Sequence, residues 1–193
     1  DAAREDIGPG VADSVTEHIP LLGAEGYRAL MNQIDRLARK VDLPVWRLDH
    51  LLGRYGSLVN ELLELGAGDP SLFEPVPGAE EYLKVELLYA VTHEGALHLD
   101  DLLARRTRIS IETLSRGVDS ARAVADLVAP VLGWDEERAA TEVQLYTQRV
   151  QAERESQQMP DDHEANAERT SARDARRRDA RQRDGLPSEG TPS

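Results

Sequence analysis

The chain has 193 residues, with 36 acidic and 23 lysine or arginine side chains, and a formal net charge of −13. This length suffices for one ordinary domain plus a tail, and the acidic charge argues against a nucleic-acid binder, which needs a basic face. Cysteine is absent, which excludes disulfides, thiolate metal sites and a cysteine nucleophile and fits a reducing compartment.

The first segment, residues 1–23, predicts the end of a helix followed by a connector. The chain begins at Asp1 and reads at once as a helix under way, which favours a piece cut from a longer protein. Gly8-Pro9-Gly10 breaks regular structure. Residues 16–23 are short and partly apolar, so we expect them to run extended along a surface. No signal peptide or long apolar run is found, so no membrane span is predicted.

Helical spacing of apolar residues begins at Ala24 and predicts an all-α bundle over residues 24–155. Asp42 and Pro44 indicate a helix start, Gly53 and Gly56 an interruption, and residues 66–78 a loop. Residues 80–94 are apolar on most sides and predict a central helix. Next come a short helix over 99–104 and a helix over 119–132, which its proline bends or ends. The last helix begins at an Asp135 cap.

The segment after Ser156 predicts a disordered tail, residues 156–193. Apolar residues nearly vanish there, residues 173–184 are a low-complexity run of arginine and aspartate, and the end is rich in Gly, Pro and Ser. Such a segment cannot bury enough surface to offset its ordering entropy. A transient charged helix over 164–184 is the alternative. The interleaved aspartates and the lack of aromatics argue against a nucleic-acid arm.

The best functional candidates are three clustered arginines, Arg105, Arg106 and Arg108. They follow an apolar face made by Leu99 and the leucines at 102 and 103. Arginine forks suit carboxylates and phosphate. Three roles remain open: ion pairs within the domain, docking against a partner domain, and contact with a phosphorylated ligand.

No other motif carries chemistry. His93 and His98 are five residues apart and point to different sides of a helix, whereas the zinc motif needs a spacing of four. We therefore predict no metal site and place His98 near a helix N-cap. No glycine-rich strand-turn-helix is found, so no dinucleotide-binding residue is predicted. No carboxylate pair lies in an evident apolar pocket.

Several segments in order resemble the bacterial FAD-dependent glycerol-3-phosphate dehydrogenases, over about residues 1–155. The similarity is strongest in Tyr82-Leu-Lys-Val-Glu-Leu-Leu-Tyr-Ala-Val-Thr-His-Glu-Gly-Ala96, in residues 99–108 and in Leu132-Gly-Trp-Asp135. Residues 1–4, 16–24 and 50–56 are also similar to segments of that family. Two positions depart from the pattern: His98 stands where a small cap residue is usual, and Pro130 lies inside a helix.

The resemblance implies the C-terminal helical domain of an enzyme that oxidises sn-glycerol 3-phosphate to dihydroxyacetone phosphate, passing a hydride to FAD and electrons to quinone. It implies that FAD and the catalytic residues belong to an upstream flavin domain, so no catalytic or cofactor-binding residue is assigned here and the fragment alone is expected to be inactive. It also implies a cytoplasmic enzyme with peripheral contact at the inner membrane face. The alternative is an independent helical interaction module without catalysis.

Overall fold

The computed structural model describes residues 15–183, except for the side chains at 172–175, 177 and 180–183. The helix end and the break predicted within residues 1–14, and the Gly/Pro/Ser-rich end from residue 184, lie outside the described residues. The described chain is mainly helical, which confirms the all-α prediction, and it divides into two compact units with a boundary between Ala67 and Gly68. The predicted single domain over 24–155 therefore spans both units.

The described part of the first unit consists of short α-helices and two 3-10 turns, Thr16–His18 and Gly56–Leu58. The helices are α1 (Tyr27–Met31), α2 (Ile34–Val41), α3 (Val45–Tyr55) and α4 (Val59–Ala67). Most of their buried apolar side chains are those that the helical spacing selects, among them Leu48, Leu51, Leu52, Val59 and Leu62, whereas Val45 at the start of α3 is 43% exposed. The apolar connector before α1 is exposed instead, at 82% for Leu21 and 87% for Leu22.

Two glycines join the connector to the end of α3. Ser57 N–H donates to Gly23 O at 2.8 Å, and both Gly23 (φ +82) and Gly56 (φ +58) have left-handed backbone angles. A Cβ on Gly23 would lie 2.5 Å from Tyr55 O, so only glycine fits. Gly53, where the sequence predicted an interruption, lies inside the continuous helix α3, and the interruption comes at Gly56, which caps this helix.

The second unit begins with a 3-10 helix (Pro70–Phe73), which is followed by a small antiparallel hairpin, β1 (Pro75–Val76) and β2 (Ala79–Leu83). The prediction of one helix over 80–94 is therefore wrong for its first turn, and helix α5 is Lys84–Thr92. The hairpin turns at Gly78 (φ +78). The Glu86 carboxylate accepts the Leu83 N–H at 2.9 Å, and this cap places the start of helix α5 at Lys84, one residue after Leu83. Within α5, Leu87 and Ala90 are fully buried, as predicted for a central helix.

The remaining elements of the second unit are a π-helical segment (Asp101–Arg106), α6 (Ile109–Glu112), α7 (Val118–Leu132), α8 (Glu136–Ser156) and α9 (Asp162–Arg183). Helix α7 and the π-helical segment contact helix α5, α8 packs on α7, and α9 packs on α8. Asp135 caps α8 by accepting Arg138 N–H at 2.7 Å, which confirms the predicted helix start. Pro130 lies inside α7, which continues to Leu132 and is capped by Gly133 in a left-handed conformation, so the proline does not end the helix.

Helix α9 occupies part of the segment for which the sequence predicted disorder. It corresponds to the alternative of a charged helix over 164–184, and it packs along α8. The physical reason is long-range charge pairing: Asp179 pairs with Arg138, and Arg176 pairs with Glu142, 41 and 34 residues earlier in the chain. Local composition carries no information about such partners.

Candidate functional site

The three arginines singled out by the sequence lie together in the second unit, at the end of a segment anchored by buried leucines. Leu99, Leu102 and Leu103 are fully buried, as their spacing predicted. They fix the π-helical segment Asp101–Arg106 against the core, so that its last turn projects Arg105 and Arg106 to the surface.

Arg105 pairs with a carboxylate one turn earlier. Its Nη1 lies 2.5 Å from Asp101 Oδ1, while 64% of the arginine side chain stays exposed. The other Asp101 oxygen accepts the N–H groups of Leu97 and His98, each at 3.1 Å. Partial burial raises the pKa of Asp101, but the Leu97 N–H and Arg105 outweigh it, so the pKa is lowered overall. Asp101 therefore stays ionised and caps the segment.

Arg108 lies beside a second carboxylate. Its Nε is 3.5 Å from Glu112 Oε1, and 65% of its side chain is exposed. Its backbone N–H donates to the Tyr82 hydroxyl at 3.1 Å, and that hydroxyl donates to Glu112 Oε2 at 2.6 Å. Tyr82 itself is buried, so the backbone that carries Arg108 is fixed by the core while the guanidinium faces outwards.

Exposed apolar side chains follow the arginine cluster directly. Ile111 is 72% exposed and Leu114 fully exposed, whereas their neighbour Ile109 is fully buried. The single turn of α6 can direct only one face into the core. The sequence analysis did not identify Ile111 and Leu114 as surface residues. Their position away from the helix face that contains Ile109 is the signal that could have indicated their exposure.

A second cluster, centred on Glu142, was not predicted at all. Glu142 lies on α8 and its side chain is fully buried. Its Oε1 is 2.8 Å from His98 Nδ1, and its Oε2 accepts the Leu99 N–H at 3.2 Å. Arg138 pairs with Oε1, and Arg176 Nη1 lies 3.3 Å from Oε2. His98 thus lies near the predicted helix start, but its ring is committed to a residue 44 positions later in the chain.

The charges around Glu142 keep it ionised despite its burial. Burial raises the pKa of the carboxyl group, but the hydrogen bond from His98 and the positive charges of Arg176 and Arg138 outweigh it and lower the pKa overall. A buried carboxylate is tolerated only when it is paired and hydrogen-bonded in this way. No signal in the sequence separates Glu142 from the solvated glutamates of the same helix.

The cluster extends to a second carboxylate next to His98. Asp100, which is 8% exposed, receives Arg149 Nη1 at 3.4 Å and Arg176 Nη2 at 3.5 Å. Arg149 also pairs with Glu153 at 2.6 Å. Acidic and basic groups alternate throughout, so the arrangement is suited to holding helices together. Among the side chains that the structure describes, no three of His, Asp or Glu are grouped so as to hold a metal ion.

None of the helices in the described part of the chain is both long and apolar enough to cross a membrane.

Comparison with known proteins gives consistent matches. The chain is 53% identical to glycerol-3-phosphate dehydrogenase 2 of Mycobacterium bovis and to glycerol-3-phosphate dehydrogenase of Mycobacterium leprae, in each case over 91% of this chain and 30% of the relative. A probable mitochondrial glycerol-3-phosphate dehydrogenase of Dictyostelium discoideum is 30% identical over 67% of this chain and 20% of the relative. No solved structure matches.

The chain thus spans less than a third of the length of these curated relatives. Residues 14–139 match the family described as the C-terminal domain of alpha-glycerophosphate oxidase. This match extends from the first unit into the second and ends within α8, and it includes the arginine cluster and His98. The chain therefore belongs to the family of the C-terminal domain of alpha-glycerophosphate oxidase.

Proposed function

We propose that this chain is the C-terminal part of an FAD-dependent glycerol-3-phosphate dehydrogenase and serves as its docking cap. The whole enzyme oxidises sn-glycerol 3-phosphate to dihydroxyacetone phosphate and passes the electrons to quinone, at the inner face of the cytoplasmic membrane. The observation that carries the proposal is the 53% identity to proteins named glycerol-3-phosphate dehydrogenase, of whose length this chain covers 30%.

The described residues do not fit the flavin cofactor, which supports placing FAD in an upstream domain. A dinucleotide fold presents free backbone N–H groups of a glycine-rich turn to the pyrophosphate. The described strands form only the hairpin Pro75–Val76 and Ala79–Leu83. At its turn the Gly78 N–H donates to the Glu80 carboxylate at 3.0 Å, and the neighbouring Glu81 adds further negative charge. A pyrophosphate would be repelled there.

The flavin assignment is tested by absorption spectra of two purified proteins. The full-length parent protein should retain yellow flavin in about one-to-one ratio and reduce a quinone analogue when glycerol 3-phosphate is added. This chain alone should be colourless and inactive. A colourless full-length protein without this activity would refute the assignment, and stoichiometric flavin on the isolated chain would refute the placement of FAD upstream.

The docking role rests on the surface that combines exposed arginines with exposed apolar side chains. Interface cores are enriched in arginine and in large apolar groups. Arg105 and Arg108 each use only part of their guanidinium on a local carboxylate and stay about two-thirds exposed, and Ile111 and Leu114 lie beside them. The occupant we propose is the upstream flavin domain of the same polypeptide.

Charge reversal in the full-length enzyme tests this role. Arg105→Glu and Arg108→Glu should lower the melting temperature of the flavin-containing protein and leave the Michaelis constant for glycerol 3-phosphate unchanged. Arg122→Glu is a stringent control, because this exposed arginine pairs both with a carboxylate one turn away and with Glu136 at the start of α8, and the docking variants should lower the melting temperature more than it does. A raised Michaelis constant at an unchanged melting temperature would instead indicate phosphate contact. If neither quantity moves, the cluster is a solvated surface and the docking role is refuted.

A further inference from the structure

We propose that helix α9 is an electrostatic strap that clamps residues 97–106, the segment carrying Arg105 and Arg106, onto helix α8. The inference concerns how the second unit is held together, and it does not depend on the activity of the whole enzyme. It rests on three features: the small apolar contact of the described side chains of α9, the partners of its two charged anchor residues, and the position of those partners.

The described apolar contact beneath α9 is small. Ala165 is buried on its inner face, and Ala152 and Ser156 are buried on the facing side of α8. Each alanine contributes only one methyl group, worth about 0.8 kcal/mol when fully buried. A helix of 22 residues needs more than this to offset its ordering entropy. Among the described side chains of α9, charged contacts add to this attachment.

Two residues of α9 supply these contacts from a partly buried position. Arg176 lies 3.3 Å from Glu142 Oε2 and 3.5 Å from Asp100 Oδ2, with 20% of its side chain exposed. Asp179 accepts from Arg138 Nη1 at 2.8 Å, and their side chains are 21% and 12% exposed. Ion pairs shielded from water to this extent are screened much less by salt than exposed pairs.

Both carboxylates that bind Arg176 also hold the segment 97–106. Glu142 accepts the Leu99 N–H and pairs with His98, and Asp100 belongs to the segment itself. Arg176 therefore bridges a carboxylate of α8 and a carboxylate of the segment, and its charge lowers the repulsion between them. Without α9, Glu142 keeps Arg138, His98 and the Leu99 N–H, and Asp100 keeps Arg149, but the positive charge that bridges the two carboxylates is lost and their repulsion rises.

The strap has a specific consequence for the exposed arginines. The two leucines after Asp101 anchor the segment on its apolar side, and the Asp100 and Glu142 contacts anchor its start. Release of α9 would loosen the start of the segment while its leucines stay in the core. The order of the turn that projects Arg105 and Arg106 thus depends on a helix whose first residue lies more than 50 positions later.

The test is Arg176→Glu in the full-length protein, with Arg169→Glu as control. Arg169 lies on the same helix and is exposed, so the control makes the same change in net charge. Hydrogen exchange followed by mass spectrometry reports peptides from α9 and from residues 97–106. Arg176→Glu should raise exchange in both peptides by roughly tenfold or more, as expected when a charge pair is replaced by like charges. Arg169→Glu should leave both within a factor of about two.

Two results would overturn the proposal. If exchange in α9 does not rise in Arg176→Glu, the helix is not held by this arginine. If exchange rises in α9 but not in residues 97–106, the helix is attached by Arg176 but clamps nothing. Deleting residues 158–193 is a second variant that avoids the like-charge contacts: it should raise exchange in residues 97–106 as well, and unchanged protection there would also refute the strap.

Discussion

Replacing Glu142 with glutamine is the sharpest test of the energetics of the second unit. The substitution keeps the side-chain shape and removes the charge. One of the two oxygens becomes an amide NH₂, which must then face either His98 and Arg138 or the Leu99 N–H and Arg176. Whichever way the amide turns, donors meet donors, and two arginines lose a buried counter-charge.

Breaking a buried ion pair by altering one partner costs about 3–5 kcal/mol. Because glutamine keeps some hydrogen bonds, we expect Glu142→Gln to lower the free energy of unfolding by about 3 kcal/mol at pH 7. For a chain of this size, 1 kcal/mol corresponds to a shift of about 2–4 °C in Tm. The expected loss is therefore about 6–12 °C.

Tryptophan fluorescence can report the second unit alone. The chain has two tryptophans, of which Trp46 lies in the first unit and Trp134 in the second, so urea unfolding in a Trp46→Phe background follows Trp134. Glu137→Gln, an exposed change on the same helix, is the control and should cost at most about 1 kcal/mol through the helix dipole. If Glu142→Gln costs no more than this control, the buried charge cluster does not stabilise the fold.

Acid titration gives an independent check with a defined sign. The pKa of Glu142 is lower in the folded chain than its ordinary value. Its contribution to stability is therefore complete above the pKa of the unfolded chain and disappears as the pH falls through the folded-state pKa. The unfolding free energy of the unmodified protein should fall more steeply in this acidic range than that of Glu142→Gln, so the difference between the two proteins narrows. A difference that stays constant down to acid pH would contradict the lowered pKa.

Further substitutions probe individual contacts in the second unit. Gly117→Ala should lower the free energy of unfolding by about 2–3 kcal/mol, because φ is +80 there and a Cβ would lie 3.1 Å from the Tyr146 hydroxyl. Gly133→Ala, at φ +67 in open space, should lower it by only about 1 kcal/mol. Equal losses for the two variants in urea unfolding would contradict a close contact at Gly117. Tyr82→Phe removes the 2.6 Å hydrogen bond to the Glu112 carboxylate of α6 and should lower the free energy of unfolding by about 1.5–3 kcal/mol. An unchanged midpoint of urea unfolding would exclude that hydrogen bond. Asp135→Ala removes the cap of α8 and should lower the free energy of unfolding by about 1 kcal/mol. Asp135→Asn keeps a capping oxygen and should preserve most of that stability. Similar losses in the two variants would show that the charge of Asp135, and not its cap, stabilises the helix.

The sequence by itself determined the features that depend on near neighbours. Helical spacing identified the buried leucines before Arg105, and the Asp135 cap identified the start of α8. The family resemblance, which the comparisons confirmed, also came from local segments in order. Periodicity and capping act within about one helical turn, so they are visible in the order of the residues.

Only the tertiary structure decided which charges are buried and what they hold. Glu142 differs from a solvated glutamate because His98 and Arg176 reach it from 44 and 34 positions away, and these same contacts place α9 where composition predicted disorder. Likewise, Tyr82 of strand β2 reaches Glu112, 30 positions later in the chain. Pairing across such distances depends on the fold, which brings the groups together and excludes water around them, and no local pattern records it.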